Sequence, residues 1–227
     1  MPNKYPALEG NDGRSEVVIH SPRHEVSIGG LLPDEVAAVA AAWQARADVA
    51  RRAGFTYVHA LVNEGRPAGG SLPHTHSQLV WLREEPPAVA KEQRAQMTLR
   101  ELVDRERREQ VRLVEERDGI IAICPYASRA PYELLVAPVE PEPDAFSSEH
   151  LGTGLLMLAC AVKRLSQAEG SVPLNAWLHT RHFGAATGHW HLELVPRLTI
   201  AAGLELGAGI YVNPLPPEEA AVILRRP

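Results

Sequence analysis

Cysteine is nearly absent. Cys124 and Cys160 are the only two in 227 residues, and neither belongs to a Cys-x-x-Cys pair. That excludes a secreted disulfide framework and a zinc knuckle built from cysteine alone. Each thiol reads as a small buried apolar residue. An excess of positive charge is also lacking: the formal net charge is −5, and the basic residues are dispersed or interleaved with acids. No basic field exists to hold a nucleic-acid backbone, so a polynucleotide is not expected, whereas a small phosphate-bearing substrate stays open. The opening residues Met-Pro-Asn-Lys-Tyr-Pro contain no apolar signal core, and no apolar run approaches the length of a bilayer span. The expected location is the cytoplasm, with no membrane partner. Low-complexity segments and a proline-rich linker are missing as well.

What is present is the ordinary composition of a globular chain, 45% hydrophobic and 22% charged. It suffices for one large domain or two small intertwined ones. Glu16 to Ser21 reads as a strand. A helix from Pro33 to Gly54 follows, with Val36, Val39, Ala40, Trp43 and Ala47 on one face. Tyr57–Val62 and Gln78–Leu82 read as strands on either side of a glycine-rich connection. The same order then recurs: Tyr132–Ala137 as a strand, a helix from Ser148 to Glu169, and strands at Leu174–Leu178 and His189–Val195. Matching elements lie roughly 115 residues apart, and His74-Thr75-His76 answers to His189-Trp190-His191. The expectation is an internal repeat, with residues 1–115 as one half and 116–227 as the other. Duplicated strand–helix–strand–strand units with a mostly antiparallel sheet make an α+β fold. Between the copies, the charge-rich stretch from Pro86 to Arg117 reads mainly as a solvated helix over Ala88–Arg108. Trp43, Trp81 and Trp190 read as packing residues. His20, His59, His150 and His182 receive no role.

The chemistry concentrates in Asn63 to Gln78. Gly65, Gly69 and Gly70 permit close backbone approach, and exposed N–H groups in such a loop can cradle phosphate oxygens. Ser71 and Gln78 supply neutral donors where phosphoryl charge builds. On an extended segment His74, His76 and Gln78 share one face. His76 is the natural nucleophile, because a neutral imidazole can form a phosphoramidate provided its other nitrogen is held by a backbone carbonyl or by His74. A lone histidine would read as a surface or hydrogen-bonded core residue, but the glycine-rich His-x-His-x-Gln setting turns the reading toward catalysis.

At this point the segment is recognisable. Val62-Asn63-Glu64-Gly65 followed by Ser71-Leu72-Pro73-His74-Thr75-His76-Ser77-Gln78 resembles the active-site motif of class I galactose-1-phosphate uridylyltransferases, within the histidine-triad (HIT-like) superfamily. Further similarity runs through Asn3–Leu8, Val18–His24, Cys124–Leu135, Gly203–Leu206 and Pro216–Ala221. The resemblance implies a duplicated HIT-like fold and transfer of UMP between a UDP-hexose and a hexose 1-phosphate through a nucleotidyl-His76. It implies that Gln78 and Ser71 hold the phosphate, that Asn63 and Asn3 serve the nucleotide, and that Glu205 binds sugar hydroxyls. His24 and His74 match the histidines of a structural zinc site whose cysteine pair has no counterpart, as though the family's N-terminal segment were lacking. Glu92, His179, His189 and His191 match a second metal site, for zinc or iron; the other reading of this His-x-His is a relic of the duplication. Glu193 stands where the first copy has Gln78, which implies that the second copy no longer transfers nucleotides. No organic cofactor is called for, and the family's habit implies a homodimer. An ADP-sugar phosphorylase or nucleotide hydrolase using the same nucleophile, and an inactive nucleotide-binding member, remain as alternatives.

Overall fold

The computed structural model describes residues 13–92 and 97–226. Its centre is an eight-stranded sheet in which every pairing is antiparallel. In chain order the strands are β1 (Gly13–Ile19), β2 (Tyr57–Glu64), β3 (His76–Leu82), β4 (Leu113–Arg117), β5 (Ile120–Ile123), β6 (Leu134–Pro138), β7 (Leu174–His179) and β8 (His191–Pro196). Their spatial order is β1-β3-β2-β7-β8-β6-β5-β4. The helices are α1 (Pro33–Arg52), α2 (Pro87–Glu92), α3 (Leu99–Glu109), α4 (Leu151–Glu169), α5 (Gly203–Ala208) and α6 (Pro217–Leu224).

The duplication is visible in this topology. The first copy runs β1, α1, β2, β3 and the second runs β6, α4, β7, β8. In both, the last strand lies between the other two. The copies meet at a seam where β2 pairs with β7, so they share one sheet. The α+β class with a duplicated, antiparallel architecture is therefore what the chain adopts.

Helices α1 and α4 form by apolar spacing and cover one face of this sheet. Val36, Val39, Ala40, Trp43, Ala47 and Ala50 of α1 are buried together with Leu151, Leu155, Leu158, Val162 and Leu165 of α4, against Val58, Ala60, Val62, Leu79 and Trp81 of the strands. Pro33 opens α1, where its missing N–H is no loss. Gly154 of α4 lets the Trp190 ring approach; a Cβ there would sit 3.2 Å from it. Trp43, Trp81 and Trp190 are fully buried, as packing residues should be, although Trp43 also donates its indole N–H to Ser77 Oγ at 2.8 Å.

The interdomain stretch differs from expectation. Instead of one helix over Ala88–Arg108, the described residues give α2 and then a fresh start at Thr98, whose extended backbone and hydroxyl cap α3. Val103 packs with Ile121, Ile123, Leu135, Ala137 and Val139, so α3 lies over the second half on the sheet face opposite α1 and α4. Leu113–Arg117 is a strand rather than a solvated run, and a boundary at 115 falls inside it. Space overrides chain order here: α3 and the first half of β4 precede residue 116 but pack with the second copy. Among the described residues, no helix is long and apolar enough to cross a membrane.

Candidate active site and metal centre

Strand alternation assembles the site on the sheet face that α1 and α4 leave open. Thr75, just before β3, and Ser77 within it are turned toward the core while His76 and Gln78 take the other side. Gln78 pairs with Leu61 of β2, and Leu61 pairs with Trp177 of β7. Asn63, two residues beyond Leu61, shares that face and lies directly opposite Asn175.

His76 is buried, and its Nδ1 donates to the His74 carbonyl oxygen at 2.8 Å. That bond places the ring proton on Nδ1 and leaves Nε2 as the lone-pair nitrogen. His74 is turned elsewhere, its Nδ1 3.1 Å from the Thr75 carbonyl. Of the two partners expected for the second nitrogen of His76, a backbone carbonyl and the His74 side chain, the carbonyl is the one found.

The loop before β3 needs its glycines. Gly65 has φ 79°, and a Cβ there would meet Pro173 at 3.0 Å. At Gly70 a Cβ would come within 2.8 Å of the Asn63 carbonyl oxygen, because Gly70 N–H closes the loop onto Gly65 O at 2.9 Å. Ser71 is exposed beside them, on a cleft of about 560 Å³ bounded by Gly65, Gly70, Leu72 and Pro173.

Beneath His76 lies a buried polar chain that local sequence pattern does not disclose. Thr75 donates its hydroxyl to Glu64 Oε1 at 3.2 Å and accepts from His20 Nδ1 at 2.9 Å. The Glu64 carboxylate also accepts Ile28 N–H at 2.5 Å. Burial, with His76 and His74 nearby, lowers the His20 pKa to about 3. Burial likewise pushes the Glu64 carboxyl up, against the hydrogen bonds it accepts. The sequence signal was slight: polar residues at alternating positions of otherwise apolar strands.

Of the carried-over residues, Glu205 and His24 fall elsewhere. Asn3 lies outside the described residues. Glu205 sits in α5, where its carboxylate accepts Ala202 N–H at 2.9 Å and lines a separate cavity of about 210 Å³ with Arg129, Trp177 and Tyr211. His76 is not among the residues that line this cavity. His24 is exposed, its ring centroid 6.0 Å from that of His74. Among the described residues these two gather no third donor; Cys124 is buried just after β5 and Cys160 belongs to α4.

The second cluster does assemble, with one change of membership. His179 and His191 are directly opposite on β7 and β8, and Glu92 reaches them from the end of α2. The fourth donor is Glu193, not His189: one donor atom from each of Glu92, His179, His191 and Glu193 lies within 4.8 Å of the others. The reason is that β8 begins at His191, so alternation aligns His191 with Glu193. His189 precedes the strand, and its Nε2 is 2.6 Å from the Pro138 carbonyl. Glu193 Oε1 is 3.2 Å from His191 Nε2 and 3.4 Å from His179 Nδ1, while its other oxygen pairs with Arg129. Glu92 Oε1 is 2.5 Å from His179 Nδ1 and 4.0 Å from His191 Nε2. Tetrahedral zinc, with bonds of about 2.0–2.1 Å, separates its donors by roughly 3.3 Å, so these four fit a borderline divalent ion. Burial opposes the Glu193 charge, but the hydrogen bond and charge of His191, together with Arg129 and His179, hold its pKa at about 2.

Fold and site together define a two-copy strand–helix–strand–strand protein that carries a tautomer-fixed histidine beside a glycine-rich loop. Residues 3–87 match the family model described as galactose-1-phosphate uridyl transferase, N-terminal domain. The chain is 27% identical to an ADP-glucose phosphorylase of Arabidopsis thaliana over 228 residues, covering 94% of this chain and 64% of that protein. It is 25% identical to a galactose-1-phosphate uridylyltransferase of Thermotoga maritima, covering 96% of this chain and 75% of that one. In structure it superimposes on the Arabidopsis thaliana ADP-glucose phosphorylase solved with bound ADP-glucose, with TM-score 0.86 and 24% identity over 99% of this chain and 80% of that one. The chain is thus similar to the galactose-1-phosphate uridylyltransferase family, through the family model over residues 3–87 and through relatives along most of its length.

Proposed function

We propose that the chain is a nucleotidyltransferase acting on nucleotide-sugars, with His76 as the residue that carries the nucleotidyl group. The observation that supports it most directly is the Nδ1–H···O=C bond to His74 at 2.8 Å, which leaves Nε2 unprotonated for attack. In the leading reading the donor is a UDP-hexose. Nε2 attacks the α-phosphorus, an N–P bond forms, and the P–O bond to the β-phosphate breaks with its electron pair leaving on the hexose 1-phosphate. A phosphate oxygen of a second hexose 1-phosphate then attacks the same phosphorus and restores the imidazole. Gln78, Ser71 and the Gly65 N–H would hold the transferred phosphate, the Gly69 and Gly70 N–H groups being spent on the Arg66 and Gly65 carbonyls. The second reading, an ADP-sugar phosphorylase with orthophosphate as acceptor, draws on the similarity to the Arabidopsis thaliana enzyme over 94% of the chain.

The experiment is intact mass under non-acidic conditions after brief incubation with UDP-glucose and, separately, ADP-glucose. A gain of one nucleoside monophosphate that His76→Ala abolishes supports the proposal and reports the base. An adduct that persists in His76→Ala overturns the nucleophile.

Glu92, His179, His191 and Glu193 would hold a zinc or iron ion. When bound, the ion supplies positive charge to two carboxylates and ties α2 to β7 and β8. We also propose a homodimer formed through the segment after β8, where Ile200 is 92% and Leu206 79% exposed and Ile210, Tyr211 and Val212 are exposed beside them. Two free cysteines agree with a reducing compartment, the cytoplasm.

A further inference from the structure

We infer that Asn175, contributed by the second copy, is a positioning residue that sets which way the Asn63 amide faces, so that Asn63 offers its N–H pair to an acceptor on the nucleotide. The ligand's identity rests on the function proposed above; the orientation does not.

The two asparagines are directly opposite across the β2–β7 seam. Asn175 Nδ2 is 2.8 Å from the Ala68 carbonyl oxygen and 2.7 Å from Asn63 Oδ1. A backbone carbonyl only accepts, so the Ala68 contact decides which end of the Asn175 amide is nitrogen. With one N–H spent on Ala68, the other is directed at Asn63, which must meet it with oxygen. The Asn63 –NH2 is thereby turned away from the seam, on the face that carries His76 and Gln78. The same Asn175 amide also ties down the turn Arg66–Ala68, itself closed by Ala68 N–H onto Gly65 O at 3.1 Å. One side chain of the second copy thus fixes both a donor and the loop of the first copy's site. The sequence showed nothing of this, because 112 residues separate the partners and only strand register brings them together.

The test uses the full chain as wild type, Asn175→Ser, Asn175→Asp, Asn63→Ala and the Asn63→Ala/Asn175→Ser double variant. A ligand-free readout comes first: hydrogen exchange of the assigned side-chain amides by NMR. The Asn175 amide protons should exchange slowly and those of Asn63 fast; equal or reversed rates overturn the inference. The second readout is the rate of His76 nucleotidylation against UDP-glucose and ADP-glucose concentration. Asn175→Ser should raise the half-saturating concentration about tenfold, the scale of one hydrogen bond, with the limiting rate within about twofold. Asn175→Asp should do more, because its carboxylate attracts the Asn63 N–H pair away from the ligand. In the Asn63→Ala background Asn175→Ser should change little, whereas a full multiplicative effect would mean that Asn175 acts independently and would sink the proposal. If wild type forms no adduct, the functional reading fails, and the exchange pattern still decides the orientation.

Discussion

At the scale of single residues, a histidine can be an asset only in the neutral form, and His20 shows the cost of that state. Its Nδ1–H donates to Thr75 while its Nε2 is buried without a partner, so a second proton has nowhere to go. The folded pKa of about 3 lies below the ordinary 6.5, so the unfolded chain takes up the proton first. The stability held by neutral His20 is therefore complete above about pH 6.5 and is lost as pH falls toward 3. Between pH 7 and 5 the loss should be about 2 kcal/mol. Urea unfolding at both pH values, compared between wild type and His20→Gln, checks this: equal losses in the two proteins would refute it. His76 was legible in sequence because glycines and a second histidine flank it. His20, Glu64, Asn175 and Glu193 were not, since each acquires its partner through strand pairing that local pattern does not encode.

Elements give the clearest disagreement between composition and structure. The alternating charges from Arg105 to Arg117 look like a solvated face, yet Glu106 is fully buried and Arg112 nearly so. Arg112 donates through Nε and Nη2 to Glu106 Oε1 at 3.0 and 2.8 Å, and reaches Glu218 of α6 at 2.9 Å. Charge alternation suits a solvated helix and a helix clamped over an arginine equally well; only the strand that brings Arg112 back decides. Glu106→Ala should destabilise by about 3–5 kcal/mol, because it leaves a buried guanidinium short of its carboxylate. Glu116→Ala, which loses a half-exposed pair with Arg107, should cost under about 1 kcal/mol. Similar denaturation midpoints for the two variants would count against a structural role for the buried pair. The metal proposal also belongs at this scale, because it links α2 to two strands. Metal analysis after dialysis should show loss from His179→Ala and Glu193→Ala and retention in His189→Ala. Loss in His189→Ala with retention in Glu193→Ala would return the ligand set to the one implied by family resemblance.

For the whole molecule, order and spacing of elements made the duplication readable, down to the 115-residue offset between His-x-His motifs. What stayed hidden was how the copies join. A repeat in sequence is equally compatible with two separate sheets and with one continuous sheet. The homodimer is the prediction proper to this scale: light scattering after size exclusion should give twice the chain mass. Ile200→Asp with Leu206→Asp should shift the protein to a monomer. A monomeric wild type at micromolar concentration would remove the apolar segment after β8 as an interface.

The β2–β7 seam has a consequence for any attempt to divide the chain. At the outer end of the second copy, β4 carries Glu115, Glu116 and Arg117, a charged border that discourages further strands from adding. The inner strands have no such guard. A half-chain produced alone would present β2 or β7 as a bare edge, with unpaired N–H and C=O groups and apolar neighbours on the covered side. Such an edge is a template for another copy of itself, so each isolated half would be expected to self-associate or aggregate. Co-expressed, the halves would find in each other the one edge that leaves neither exposed.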